Sequence, residues 1–106
     1  MFSRLIPGWG KKPSRQYPTV RDMLVIFFSN QHDDFGNTIE EIISSYKDHG
    51  MEYPQAAKEV SLLLLIKKDE ELQKVMTELA EGQFQPEAWN QTWRSFLQKI
   101  QLLLSS

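Results

Sequence analysis

The sequence predicts an all-α fold, a compact bundle of about five helices, and three observations carry that expectation. Apolar residues recur at spacings of three and four in five separate stretches, the period of a helix with one buried face. Pro18, Pro54 and Pro86 each stand just ahead of such a stretch, where a first helical turn accepts a residue without an N–H. No segment alternates apolar and polar residues with β-branched enrichment, so no sheet is expected.

Taken in order, residues 1–16 (MFSRLIPGWGKKPSRQ) hold two prolines, two glycines and four bases without any period, and read as an irregular basic arm ahead of a helical domain at 17–106. Phe2, Leu5, Ile6 and Trp9 suit partial docking of the arm onto that domain. A membrane-surface hook is the weaker reading, since no amphipathic helix continues through Pro7. The first helix is expected from Pro18 or Thr19, with Val20, Met23, Leu24, Phe27 and Phe28 on its core face. It should fail at Ser29-Asn30-Gln31, where short polar side chains compete for the backbone.

A polar turn from His32 to Gly36 follows, then Asn37 or Thr38 as N-cap. Each has a glutamate three residues on, Glu40 or Glu41, in capping-box spacing. Ile39, Ile42, Ile43 and Tyr46 form the core stripe of the second helix, which Gly50 should close in a left-handed cap. Helix three is expected to start at Pro54, with Ala56, Ala57, Val60, Leu63 and Leu64 on its main face. Leu62, Leu65 and Ile66 make it apolar almost all round, which marks it as the central, buried element. Asp69, Glu70 and Glu71 suit the start of helix four, where acids complement the dipole. Leu72, Val75, Met76 and Leu79 form its stripe and Gly82 its end. Helix five is expected from Pro86, carrying Trp89, Trp93, Phe96, Leu97, Ile100 and Leu104 on one stripe.

Composition removes several function classes. There is no cysteine, hence no disulfide or thiolate metal site. No apolar run approaches the ~20 residues of a membrane span, and Pro7-Gly8 interrupts any secretory core, so a soluble cytoplasmic protein is expected. The net charge of −2 conceals a division. Residues 1–21 carry five bases and no acid, whereas residues 22–66 carry eight acids against Lys47 and Lys58. A concentrated negative field of that kind attracts a basic partner and repels nucleic acid.

Catalytic motifs are absent or incomplete. His32-Asp33 looks like the core of a metal-dependent phosphohydrolase, with Asp34, Glu40 and Glu41 as possible oxygen ligands. One turn does not supply the convergence from several helices that such a site needs. A calcium loop counted from Asp33 places Phe35 third and Ser44 twelfth, where ligands belong. Ser44-Ser45 has only His49 nearby as a base. No nucleophile elbow, phosphate loop or dinucleotide fingerprint is present, so neither an enzyme nor a cofactor is expected. Trp89 and Trp93, four apart, read as core before they read as an aromatic cage.

The run YPTVRDMLVIFFSNQHDDFGNTIEEIISSY, followed by an Ala/Leu-rich helix, resembles the immunity proteins of bacterial contact-dependent growth inhibition systems. The shared pattern is a proline-started helix ending in an aromatic pair (Phe27-Phe28), an acidic aromatic turn (Gln31 to Phe35), and a helix opening on paired acids (Glu40-Glu41). Trp93-Arg94-Ser95-Phe96-Leu97 matches the family's closing segment, so the likeness covers about residues 17–100. The resemblance implies a partner, the toxic carboxy-terminal domain of a delivered effector, commonly a nuclease, bound and blocked in the cytoplasm. It implies no direct contact with nucleic acid or membrane, and the free chain is expected to be a monomer. His32, Asp33, Asp34, Glu40, Glu41 and Asp48 are the candidate partner-binding residues, an acidic helical surface suited to a protein that grips phosphates. The bland alternative is that these acids solubilise the domain and cap helix two. A second class of function is a helical adaptor that takes a partner helix in an apolar groove, with Leu62 and Leu65 exposed on helix three.

Overall fold

The computed structural model describes residues 13–29 and 35–106, and within them every regular element is helical. The expected all-α bundle is what the chain forms. Its elements are α1 (Pro13–Gln16), α2 (Pro18–Asp22), a π-helical turn (Met23–Phe27), α3 (Ile39–Asp48), α4 (Tyr53–Leu63), α5 (Asp69–Ala80), a 3₁₀ turn (Pro86–Trp89) and α6 (Trp93–Ser105). The arm, expected to be irregular through residue 16, ends in the helical turn α1; residues 1–12 lie outside the described ones.

Pro18 occupies the first turn of α2, as its fixed φ favours. The first helix does not run straight to Phe28. At Met23 it widens into a π turn, which adds a residue to the turn and lets the adjacent Phe27 and Phe28 both bury. Phe27 meets the Tyr46 ring edge-on at 5.1 Å, while Phe28 meets Phe96 at 5.2 Å and Phe84 at 5.2 Å. A regular α-helix spaces neighbours by about 100°, so the π turn is how one short helix serves two clusters.

The central element is α6, which packs against α3, α4 and α5. Phe96, Leu97 and Ile100 are fully buried along its stripe. Helix three of the sequence reading is not apolar all round in its surroundings. It ends at Leu63, buries only Ala56, Glu59, Val60 and Leu63, and leaves Leu62 47% and Leu65 71% exposed. Apolar composition marked the right helix for burial on one face, but α6 covers only that side. Leu63 is the fully buried leucine at this point, with Leu64 half-buried beside it.

The fifth predicted helix is likewise divided. Asn90 takes a left-handed conformation (φ 61°) after the 3₁₀ turn, and Thr92 restarts the chain as α6 with a reciprocal capping box to Ser95. Trp89 and Trp93 therefore belong to different elements. Trp93 is buried and Trp89 half-buried, both packed on Phe84, a core residue the stripe pattern passed over. Arg94 locks the α4–α5 connection: its Nη2 donates to the Ile66 carbonyl at 2.7 Å and its Nε to Asp69 Oδ1 at 2.8 Å.

Candidate functional site

Both ends of α3 carry acids, and their surroundings differ. At the N-terminal end, Thr38 is the N-cap: its backbone is extended and its Oγ1 accepts the Glu41 N–H at 3.1 Å. Glu41 reaches back, and its Oε1 accepts the Asn37 N–H at 2.8 Å. Two amides that the helix itself leaves open are thereby satisfied. Glu40, one residue earlier, pairs with Lys99 of α6 at 2.9 Å. Its hydrogen bond from Lys99 holds the carboxyl below the usual glutamate range, aided by the backbone. Glu40 and Glu41 thus both have partners inside the molecule.

The approach to this helix is less direct than the sequence spacing suggests. His32, Asp33 and Asp34 lie outside the described residues. The described chain resumes at Phe35, whose ring sits 4.3 Å from Phe27 and 5.7 Å from His49, and whose carbonyl accepts the Ser45 hydroxyl at 2.6 Å. Phe35 is therefore beside the C-terminal end of α3. From there the chain runs back along the helix to its cap, with Gly36 (φ 156°) pressed so closely that a Cβ would stand 2.6 Å from Glu41 Cβ. Nine residues of helix separate Glu40 from His49, ~13 Å at the α-helical rise. The paired acids of the first turn and the residue that follows Asp34 thus occupy opposite ends of α3.

Asp48, the last residue of α3, is exposed at this second end. His49 caps the helix there, its Nδ1–H donating to the Ser45 carbonyl at 2.7 Å. Lys47 turns away, its ammonium donating to the carbonyls of Leu103 (3.2 Å) and Ser106 (2.8 Å), with the Tyr53 ring 5.1 Å off.

Three further acids, Asp22, Glu52 and Glu59, lie on or beside α2 and α4, which pack together, and the sequence reading did not select them. Glu59 is only 2% exposed. Its Oε1 accepts the Val20 N–H at 2.9 Å and its Oε2 accepts the Gln55 amide at 3.0 Å, so α4 supplies the cap that α2 lacks in its own sequence. Asp22 lies two residues beyond Val20 and is paired with Arg21 at 3.1 Å. Glu52 precedes α4 on the side that carries Glu59 and is exposed. The phenol of Tyr46 is pushed up to about 12, first by burial and then by the charges of Glu59, Asp22 and Glu52. The available signal was Glu59 itself, a carboxylate set among Ala56, Val60 and Leu63 on an apolar stripe.

Among the described residues no group of three or more His, Asp or Glu side chains is placed to hold a metal ion. No described helix is long and apolar enough to cross a membrane.

The family model for the CdiI immunity protein matches residues 16–104. The chain belongs to that family. The match begins at the last residue of α1 and takes in the whole bundle, leaving the basic residues Arg4, Lys11, Lys12 and Arg15 outside it. Membership in the CdiI family makes the chain a contact-dependent growth inhibition immunity protein, as the pattern of residues 17–46 led one to expect. The family is generally non-enzymatic, and its members act by binding a cognate toxin. No curated protein and no solved structure matches the chain.

Proposed function

We propose that this immunity protein neutralises a basic toxin domain, a nuclease, in the cytoplasm, by presenting an acidic surface to the groups that would otherwise hold phosphates. Two things support the reading together. Family membership supplies a toxin as the partner, and the acids of residues 22–66 stand in excess over Lys47 and Lys58. The observation that carries it is the C-terminal end of α3. Asp48 is exposed there, Lys47 is turned away, and Phe35, the first described residue after the acidic segment, is anchored to Ser45. His32, Asp33, Asp34 and Asp48 are the proposed contact set. Glu40 and Glu41 are its flank, adding to the field while their carboxylates serve the fold. Complementary charge of this type speeds encounter and selects the partner.

The test is the double substitution Asp33→Lys, Asp34→Lys. The expected outcome is a near-normal melt, slower and less salt-sensitive association with the toxin domain, and loss of protection in cells that make the toxin. A variant that folds and protects like the parent rejects the acidic segment as the docking surface.

One observation favours a second reading, an adaptor that takes a partner helix. Leu62 and Leu65 are exposed at the end of α4, as that reading requires. Replacing both by serine separates the two: binding that survives this change and fails in the charge reversal belongs to the acidic surface.

A further inference from the structure

A cavity of about 220 Å³ opens where the start of α5, the 3₁₀ turn and the start of α6 meet. Its lining is mixed: Asp69, Leu72 and Gln73 come from α5, Glu87 from the 3₁₀ turn, and Trp93 and Arg94 from α6. Leu72 and Trp93 are buried and form the floor, while Asp69, Gln73 and Glu87 are exposed and form the rim. The opening lies at the break at Asn90, which ends the turn that carries Glu87 and lets Thr92 start α6 afresh.

Arg94 is the one base among the described lining residues, and its donors are committed. Its Nε goes to Asp69 Oδ1 at 2.8 Å, its Nη2 to the carbonyls of Ile66 and Lys67 at 2.7 and 3.4 Å, and its Nη1 to that of Leu64 at 3.4 Å. An anion therefore finds no uncommitted cation here. Glu87 and Gln73 are the reverse, since neither side chain forms a hydrogen bond or ion pair with another described residue. Two carboxylates against one guanidinium leave the lining with one unanswered negative charge. Size narrows the occupant, because small-molecule sites begin at ~300 Å³ and this cavity is smaller, with room for one long side chain. A Lys or Arg fits each feature. Its apolar stem lies along Leu72 and Trp93, and its head donates to Glu87, to the Gln73 carbonyl and to the second oxygen of Asp69. A metal ion fits less well, since among the described residues no three His, Asp or Glu side chains are placed to share one.

We infer that this cavity receives one Lys or Arg side chain of the toxin, with Glu87 as its main counter-charge. The inference rests on the reading of the toxin as a basic protein and gives that contact an anchor of its own. The cavity sits at the first turn of α6, whereas Lys47, next to Asp48, reaches the carbonyls of Leu103 and Ser106 at the other end. Trp93 and Leu103 are separated by ~15 Å at the α-helical rise, so one toxin domain of ordinary footprint spans both places.

Glu87→Gln tests it by removing the charge and keeping the shape, and Gln73→Phe by filling the cavity, each from an exposed position. Binding of each variant to the purified cognate toxin domain is measured by calorimetry at two salt concentrations, with melts as the control for folding. Both variants should melt like the parent and bind about tenfold or more weakly, as loss of a hydrogen-bonded charge implies. Glu87→Gln should also lose part of the salt dependence. An alanine scan of the toxin's Lys and Arg residues should then find one whose loss costs nothing further in Glu87→Gln. Parent-like binding by either variant overturns the cavity, and if the Asp33/Asp34 reversal still fails, the acidic segment stands alone. Weakened binding by both variants beside a parent-like reversal keeps the cavity and rejects the acidic segment. A scan in which every toxin base adds fully to Glu87→Gln also overturns the cavity, since the acid then acts only through the general field.

Discussion

The first turn of α3, with Glu40 and Glu41, and the paired helices α2 and α4, with Asp22, Glu52 and Glu59, hold acids of the same kind, and the protein treats them differently. Glu41 is tied to Asn37 and Glu40 to Lys99, so their charge is answered at home. On α2 and α4, Glu59 accepts two amides, Asp22 shares Arg21 with Glu81, and Glu52 is exposed. An acid answered by its own chain contributes to folding. An acid left with its field open costs some stability through repulsion and is available to a partner. Position on a helix does not distinguish the two cases; the neighbours brought by α4 and α6 do.

The comparison can be broken or sharpened by substitution. Leu63→Ala sets the scale, since this leucine of α4 is fully buried; a cost of ~2–5 kcal/mol in denaturant unfolding is expected. A cost below ~1 kcal/mol would remove α4 from the core. Next in size, Gly36→Ala forces a side chain into a φ of 156° and against Glu41 Cβ, and on the order of 2–3 kcal/mol is expected. Protection should then fall only as far as the folded fraction does, which a melt run beside a survival assay would show.

Tyr46 gives the opposite end its own signature in pH. Its phenol is raised to about 12 against an ordinary value of 10.0, so the folded state disfavours the phenolate. Stability linked to it is fully present below pH 10 and is lost as pH climbs through about 12. Tyr46→Phe should flatten the alkaline limb of a stability–pH curve, and an unchanged limb would place the titration elsewhere. Thr38→Ala removes a cap and should cost ~0.5–2 kcal/mol with binding intact. Smallest of all, Glu40→Gln breaks an exposed pair with Lys99 and should cost at most ~1 kcal/mol. The carboxyl is held low, so that contribution exists above the ordinary glutamate range and disappears as pH falls through the depressed value. In the variant, the acid limb of the same curve should soften slightly.

Much of the fold could be read from local rules. Pro18 opens α2, Thr38 caps α3, and Gly50 sits at φ 72° just past its end, because caps and left-handed turns depend on a few adjacent residues. What escaped depends on the rest of the molecule. The π turn at Met23–Phe27 exists to send two phenylalanines into two clusters, and neither cluster is visible in the helix's own spacing. The stop at Asn90 breaks a stripe that looked continuous from Trp89 to Leu104. Leu62 and Leu65 look like core by composition but are exposed. The candidate site was legible as a charge excess and not as a place. The sequence sets Phe35 five residues before Glu40, while in the fold its ring packs beside His49 at the other end of α3.

The Arg94 clamp has a kinetic meaning. The reversal between α4 and α5, at Leu64 to Lys68, contains neither glycine nor proline, and its carbonyls are held from 27 to 30 positions away in the chain. A hairpin whose bend is fastened by a third helix gains little by forming early. Closing it and docking α6 are one event, so the slow step on the way to an armed antitoxin is the meeting of three helices rather than the winding of any one.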